Sequence, residues 1–310
     1  MRNTLWAISG VAALFLAGAS ARATVIASDS FVTGVPGGYS SGTVGDKIGG
    51  QAATTGTVGY FTGAPGGNPA PGWNPGTFSD VIVAGGPISA AAVNQPPVSI
   101  DGSINARGDG VARLQYRDFA SATPPASPDY YFSALLYQTA FGAYQGASYI
   151  GLGPSRASAL APSTPPTTGL AVGYNNGALS LFYNNGGAAL ATEPLLASTG
   201  IASYLVKVAI TGSGAATTLT PTVYDFRANV LNNPAAQAVT AILAPSDMGA
   251  FQLFQTADFN NTSPANISFD ELRFATTESE VAVPEPGSLG LIGIGLALLT
   301  RRTARRACRI

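Results

Sequence analysis

Few residues of this 310-residue chain could carry out chemistry, and their types narrow the choice of reactions. The chain has no histidine, which excludes Ser-His-Asp, Cys-His and histidine-metal sites. Its one cysteine, Cys308, excludes a disulfide framework and a cysteine zinc site. What remains is 16 acidic residues and 12 tyrosines, which suit carboxylate catalysis, cation binding or stacking on sugars.

Carboxylate catalysis is poorly served by the acidic residues. A glycosidase needs two carboxyl groups that face each other across the substrate. Asp270 and Glu271 are neighbours on a predicted strand, so their side chains point to opposite faces and cannot form that pair. The other glutamates before the C-terminal tail are Glu193, Glu278 and Glu280. We therefore expect no catalytic residue and no cofactor, and a glycan-cleaving enzyme remains the alternative.

The tyrosines are the better candidates for ligand contacts, because aromatic rings stack on sugar faces as they do on other apolar surfaces. All 12 lie in the central part of the chain, and five fall between residues 130 and 149: Tyr130, Tyr131, Tyr137, Tyr144 and Tyr149. Since alternate side chains of a strand share a face, we expect about half of them to lie in the core.

Charge is distributed unevenly along the chain. Of the 15 basic residues, seven lie at the two ends, and residues 24–283 keep eight basic and 15 acidic groups, a net charge of −7. A domain with that balance repels phosphate, so nucleic acid is not an expected partner.

The N-terminal residues have the pattern of a secretory signal peptide. Arg2 supplies a positive start, residues 5–18 are an apolar run, and Ala21-Arg22-Ala23 offers small residues at the two positions that signal peptidase reads. We predict a signal peptide over residues 1–23 with cleavage after Ala23. An N-terminal membrane anchor is the alternative, although the run is shorter than the ~20 residues of a membrane span.

The C-terminal residues carry three features in a fixed order. Pro284-Glu285-Pro286 comes first, an apolar run over residues 287–300 follows, and the chain closes with a cluster of arginines, Arg301, Arg302, Arg305, Arg306 and Arg309. This order resembles the PEP-CTERM sorting signal of Gram-negative bacteria. The resemblance covers residues 284–310 and implies processing near Pro284-Glu285-Pro286 by an exosortase, a membrane protease-transpeptidase.

The arginine cluster is expected on the cytoplasmic side of the membrane, as the positive-inside rule requires. The apolar run has 14 residues, which is short for a full span, so a plain C-terminal anchor is kept as the alternative to sorting. We expect a precursor that is exported across the inner membrane, held there transiently, and delivered to the outer surface or the extracellular matrix.

The middle of the chain predicts one all-β domain over residues 24–277, followed by a linker over residues 278–283. Short runs with period two alternate with Gly, Pro, Asn and Ser, and no run has the length and pattern of an amphipathic helix. Tyr174-Asn175-Asn176-Gly177 returns as Tyr183-Asn184-Asn185-Gly186, and Asn-Gly pairs favour tight hairpins. These signals predict an antiparallel β-sandwich with strands over residues 111–117, 129–137, 169–174, 178–183, 203–210, 217–226, 250–255 and 267–274. Pro221 predicts a strand edge or a bulge.

The opening Ser28-Asp29-Ser30-Phe31 and the closing residues 267–274 resemble the first and last strands of concanavalin A-like jelly rolls. That resemblance implies that the two strands lie side by side. Within residues 267–274 the apolar residues switch from the odd positions to the even positions, which predicts a bulge near Asp270-Glu271 or burial of both faces. If the strands are adjacent, Asp29 and Asp270 come close together, and we predict from this a calcium site built on their carboxylates.

Taken together, the residues predict a secreted, non-enzymatic β-sandwich protein whose partners are signal peptidase and an exosortase. An exopolysaccharide is the expected ligand. The sequence leaves two alternatives open: a glycan-cleaving enzyme on the same fold, and a structural matrix protein without a ligand.

Overall fold

The computed structural model describes residues 24–31, 57–58, 82–84, 103–106, 112–138, 146–155, 166–197, 202–226, 230–232, 238–256 and 267–281. Within them the chain is built of β-strands and two short 3₁₀ turns, Pro245–Met248 and Glu278–Glu280. In this part of the chain, no helix has the length and apolar character needed to cross a membrane. The strands are β1 (Val25–Asp29), β2 (Thr57–Val58), β3 (Ile82–Ala84), β4 (Ser103–Ala106), β5 (Arg113–Asp118), β6 (Asp129–Gln138), β7 (Ala147–Gly153), β8 (Leu170–Asn175), β9 (Ala178–Tyr183), β10 (Ala191–Ala197), β11 (Ala202–Thr211), β12 (Gly214–Asp225), β13 (Val230–Asn232), β14 (Val239–Leu243), β15 (Ala250–Gln255) and β16 (Ile267–Ala275).

These strands form two antiparallel sheets. The ten-stranded sheet has the order β13-β12-β11-β6-β16-β1-β2, with β14 added beside β12 and β4 and β3 added beside β16. The six-stranded sheet has the order β10-β9-β8-β7-β15-β5. The observed architecture confirms the predicted all-β antiparallel sandwich.

The core lies between the two sheets and is made by alternate residues of each strand. Phe132, Val206 and Phe269 represent the ten-stranded sheet, and Val172 and Phe251 the six-stranded sheet, all of them fully buried. The side chains of the two sheets pack together in one hydrophobic cluster, so burial of this shared face drives the sheets together. The face of each sheet that points into this cluster is called its inner face below.

The first Asn-Asn-Gly repeat forms the predicted tight hairpin. β8 and β9 are joined by Asn176 and Gly177, whose φ angles are +47° and +83°. A two-residue turn with both central residues in the left-handed region matches the twist of the flanking strands, and Asn-Gly adopts it with little strain. The second repeat is followed by a longer connection, because β10 begins only at Ala191.

The first and last described strands are neighbours, as the jelly-roll resemblance implies. β1 pairs antiparallel with β16, with Ala27 opposite Phe274 and Asp29 opposite Leu272. The predicted bulge is also present, since the register of β16 against β6 shifts between Asp270 and Arg273. Glu271 is the extra residue and has φ +47°. Both faces of β16 are also mostly buried. The bulge and the burial of both faces therefore both explain why the apolar residues switch faces within this strand.

Pro221 lies at a gap in the sheet. On one edge of β12 it stands opposite Val208 of β11. On the other edge, β14 pairs with residues 214–219 and β13 with residues 223–225, so among the described strands neither lies opposite Pro221. A residue without an N–H fits where the ladder is interrupted, so Pro221 lies at a local edge of the ladder, although β12 as a whole is not the edge strand that the sequence offered as one possibility.

Candidate functional surface and the buried charges beside it

The outer face of β11 and β12, the face turned away from the core, carries side chains that are exposed or half-buried. Strand register defines its rows: Leu205 stands opposite Tyr224, Lys207 opposite Thr222, and Thr211 opposite Thr218. We call the set Leu205, Lys207, Thr211, Thr218, Thr220, Thr222 and Tyr224 the β11–β12 face. Thr211 and Thr218 are exposed and the others are half-buried.

One end of the β11–β12 face is aromatic. Leu205 and Tyr224 pack with Tyr137 of β6 on a buried base formed by Leu135 and Phe226, each 3% exposed. The rings of Tyr224 and Phe226 meet edge to face, with centroids 4.9 Å apart. Because the base is buried and the rings above it are half-buried, one side of each tyrosine is positioned against protein while part of it still meets solvent.

The other end of this face carries hydroxyl groups. Thr222, Thr220 and Thr218 follow one another at every second position of β12, a spacing of about 6.6–6.8 Å. In the last row, Thr218 stands between Thr211 of β11 and Thr240 of β14, and all three are exposed. A strip with rings at one end and hydroxyls along it can stack on, and hydrogen-bond to, an extended hydroxylated polymer.

The predicted tyrosine cluster divides between core and surface. Tyr130 lies in the core, Tyr149 is 6% exposed, and Tyr131 and Tyr137 are half-buried on the outer face of the ten-stranded sheet. Tyr144 lies outside the described residues. The division agrees with the expectation that about half would be buried, whereas the sequence prediction did not single out Tyr224. The feature that could have identified Tyr224 is its position in the alternation of β12, because it lies on the same polar face as the threonines.

The outer face of the six-stranded sheet has aromatic residues too, but they are buried. Tyr149 stacks near Phe182 and Phe254, with ring centroids 4.2 and 5.3 Å away. The three side chains are 6%, 3% and 1% exposed. Burial raises the pKa of the Tyr149 hydroxyl well above its usual range, because the charged form would lose hydration there. This cluster stabilises the sheet and offers little surface to a ligand.

Asp29, one of the two predicted calcium ligands, forms an ion pair across the sandwich. It shares the inner face of β1 with Ala27, and Arg117 shares the inner face of β5 with its partner Phe251. Arg117 Nη1 donates to Asp29 Oδ2 at 2.9 Å, and the two side chains are 3% and 0% exposed. The other oxygen, Oδ1, accepts the backbone N–H of Phe31 at 3.0 Å. The pair joins the two sheets through their interior.

Asp270 lies on the neighbouring strand but faces the other way. It stands opposite Leu135, on the outer face of the ten-stranded sheet, and its Oδ1 accepts the Glu271 N–H at 2.7 Å. Arg117 already neutralises Asp29, and the two carboxylates point to opposite faces, so this arrangement does not fit a calcium site built on the pair. Among the residues that the structure describes, no group of three or more His, Cys, Asp or Glu could hold a metal. The calcium site stays a prediction from the sequence, and the positions of Asp29 and Asp270 favour the opposite outcome.

Glu271, at the bulge, is a buried carboxyl group in a left-handed backbone conformation. Ser30 Oγ donates to its Oε2 at 3.4 Å and Arg273 Nη2 donates to the same atom at 3.1 Å. Desolvation raises the pKa of Glu271 above its ordinary value, opposed by Arg273 and Ser30, while the negative charge of Asp29 raises it further. The sequence prediction that Glu271 and Asp270 point to opposite faces depends on regular alternation, which the bulge interrupts. The sequence gave no signal for the Ser30 contact, which comes from the residue after β1, 241 positions away.

The predicted processing residues Ala23, Pro284, Glu285 and Pro286, and the cluster Arg301, Arg302, Arg305 and Arg306, lie outside the described residues. For the C-terminal group the sequence itself is informative. Residues 282–306 match the family model of the PEP-CTERM protein-sorting motif. The match confirms the predicted sorting signal, and it indicates a secreted precursor processed through an exosortase.

Solved structures with a similar arrangement of strands are distant from this chain. The botulinum neurotoxin serotype C1 binding domain has 6% identity and a TM-score of 0.37, over 65% of this chain and 45% of that one. The T. cruzi calreticulin globular domain has 8% identity and a TM-score of 0.40, over 65% and 80%. The exoplasmic/lumenal domain of VIP36, in a form with Ca²⁺ and Man3GlcNAc bound, has 13% identity and a TM-score of 0.38, over 60% and 82%.

The chain therefore spans less than half the length of the neurotoxin binding domain. At these TM-scores the similarities say nothing about function, and the sandwich rests on the strand pairing described above. No curated protein sequence matches the chain.

Proposed function

We propose that the mature protein is a non-enzymatic component of the outer surface or extracellular matrix that binds exopolysaccharide through the β11–β12 face. The observation that carries the proposal is the pair of half-buried rings, Tyr137 and Tyr224, beside a strip of accessible threonine hydroxyls. Export and exosortase processing, indicated by the motif at residues 282–306, would deliver this face to the compartment where such polymers are found.

The described carboxyl groups favour binding over cleavage. Asp29 and Glu271 are near enough to interact electrostatically, and each forms an ion pair with an arginine, Asp29 with Arg117 and Glu271 with Arg273. Asp29 is fully buried, and no histidine is present to replace either carboxyl as an acid or base. A glycan-cleaving enzyme and a matrix protein without a ligand remain the alternatives.

The test uses the processed protein from an exosortase-bearing host, incubated with exopolysaccharide extracted from that host. Retention on the polymer without new reducing ends would support the proposal. New reducing ends would favour the enzyme, and absence of retention would favour the structural protein.

Variants of the β11–β12 face make the test specific. Tyr224→Ala should weaken retention about three- to tenfold, because one ring-stacking contact is lost. Tyr224→Phe should keep most of the affinity, since the ring remains. Thr192→Ala, on β10 of the other sheet, is the matched surface control and should bind like the wild type. Equal affinities for Tyr224→Ala and the control would contradict the choice of surface.

A further inference from the structure

The segment that leads into the sorting motif is bound to the domain. After β16 ends at Ala275, the Thr276 N–H donates to the Thr24 carbonyl at 3.1 Å, and the Thr24 N–H donates to Thr276 Oγ1 at 3.4 Å. Residues 278–280 then form a 3₁₀ turn that the Val281 N–H closes on the Glu278 carbonyl at 3.1 Å. Residues 278–281 belong to the stretch predicted as linker. We call residues 276–281 the strap.

The strap contacts the outer face of the ten-stranded sheet. Lys207 Nζ of β11 forms an ion pair with Glu278 Oε1. β11 lies two strands from β16, about 9–10 Å away, with β6 between them, so this contact ties the strap to a strand beyond the neighbour of β16. The negative charge of Glu278 also contributes to the raised pKa of Tyr131, a β6 residue, after desolvation and Asp129.

The strap ends in a buried side chain immediately before the motif. Val281 is 1% exposed, and the sorting motif begins at residue 282. Pro284 follows Val281 by three residues, a length of chain that spans at most about 11 Å. A protease that binds its substrate as an extended strand needs several residues on both sides of the cleaved bond. While Val281 is seated, only residues 282 and 283 separate the strap from Pro284.

We propose that the strap restrains exosortase processing: cleavage near Pro284-Glu285-Pro286 requires the strap to leave the sheet, so the fraction of released strap sets the rate. This inference rests on the exosortase processing included in the proposed function. If the exosortase cleaves only those precursor molecules whose strap is released, weakening the strap raises the cleavage rate in proportion to the fraction of released molecules.

The experiment follows conversion of the full precursor by pulse-chase in an exosortase-bearing host. Lys207→Glu replaces the ion pair by a repulsion and should speed conversion about two- to fivefold. The charge swap Lys207→Glu with Glu278→Lys should return the rate to that of the wild type. Val281→Ser removes the buried contact and should speed conversion about tenfold. Gly-Ser-Gly-Ser inserted after Val281 should also speed conversion and remove the effect of Lys207→Glu.

Two controls separate the strap from the sorting function. The melting midpoint of the released Lys207→Glu protein should match that of the wild type, since faster conversion with an unfolded domain would contradict a local release. Replacement of Pro284, Glu285 and Pro286 by alanine should block conversion. If that block holds while Lys207→Glu and Val281→Ser convert at or below the wild-type rate, the strap proposal is wrong and the sorting function stands. Normal conversion of the alanine variant would overturn the sorting function itself.

Discussion

The outer faces of the two sheets use the same residue types for different purposes. On the six-stranded sheet, Tyr149, Phe182 and Phe254 form a closed cluster whose members are at most 6% exposed. On the ten-stranded sheet, Tyr137 and Tyr224 cover a small buried base and remain half-buried themselves. The difference shows that an aromatic residue on the outward parity of a strand is not yet a binding residue, because its burial by neighbouring chain decides its role.

The sharpest test of this comparison is the free energy of unfolding after ring removal on each face. Phe254→Ala should lower it by about 3–5 kcal/mol, because a buried ring leaves a cavity. Tyr224→Ala should lower it by only about 1 kcal/mol, because its ring is half-buried and its removal leaves no closed cavity. Denaturant unfolding of the mature protein measures both, and similar losses would mean that the two faces do not differ.

A second prediction concerns the ion pair that joins the sheets. Asp29→Ala leaves the Arg117 guanidinium buried without its carboxylate and should cost about 3–5 kcal/mol of the free energy of unfolding. Replacing both partners together, Asp29→Leu with Arg117→Met, should recover most of the loss, since no isolated charge remains in the interior. If the double variant were as unstable as Asp29→Ala, the ion pair would contribute more free energy than is needed to offset the desolvation of its two charges.

How far the sequence could predict the molecule depends on how local each signal is. The hairpin at Asn176-Gly177 and the sorting motif are contiguous, so their residues suffice to identify them. The sequence pattern does not reveal β7, because all seven of its residues are buried and the alternation that marks a half-exposed strand is absent. The alternation of β5 is visible in the sequence, but it does not show which of the two faces points to the interior. Gln115 and Arg117 lie on the interior face, and the ion-pair partner of Arg117, Asp29, is 88 residues away in the sequence.

A smaller, pH-dependent effect on the free energy of unfolding is expected from Glu271 at the bulge. The folded state raises the pKa of Glu271 above its ordinary value of 4.5, so the folded state holds this proton more tightly than the unfolded state does. The contribution of Glu271 to stability is therefore greatest below about pH 4.5 and falls as the pH rises through the folded-state pKa. Unfolding of the wild type and of Glu271→Gln should show a difference that shifts in favour of the variant as the pH rises. A pH-independent difference would contradict the raised pKa.

The smallest change, in this case in the melting midpoint, is expected on addition of calcium. Because Arg117 already occupies Asp29 and Asp270 faces the opposite side, millimolar calcium and a chelator should give the same melting midpoint for the mature protein. A midpoint raised by calcium would mean that a cation binds the folded state, and loss of that rise in Asp29→Asn would assign it to the predicted site.

The position of β16 has a consequence for the timing of export. β16 is the last described strand, yet it lies inside the ten-stranded sheet, between β6 on one edge and β1 and β4 on the other. β1 pairs only with β16 and β2 among the described strands, so it stays detached from β6, β11 and β12 until residues 267–275 arrive. Contacts this distant in sequence form late and slowly, since a long loop must close first. For a precursor that is exported N-terminus first, we therefore expect the sheet to be completed only after residues 267–275 have followed, just ahead of the adjoining sorting motif.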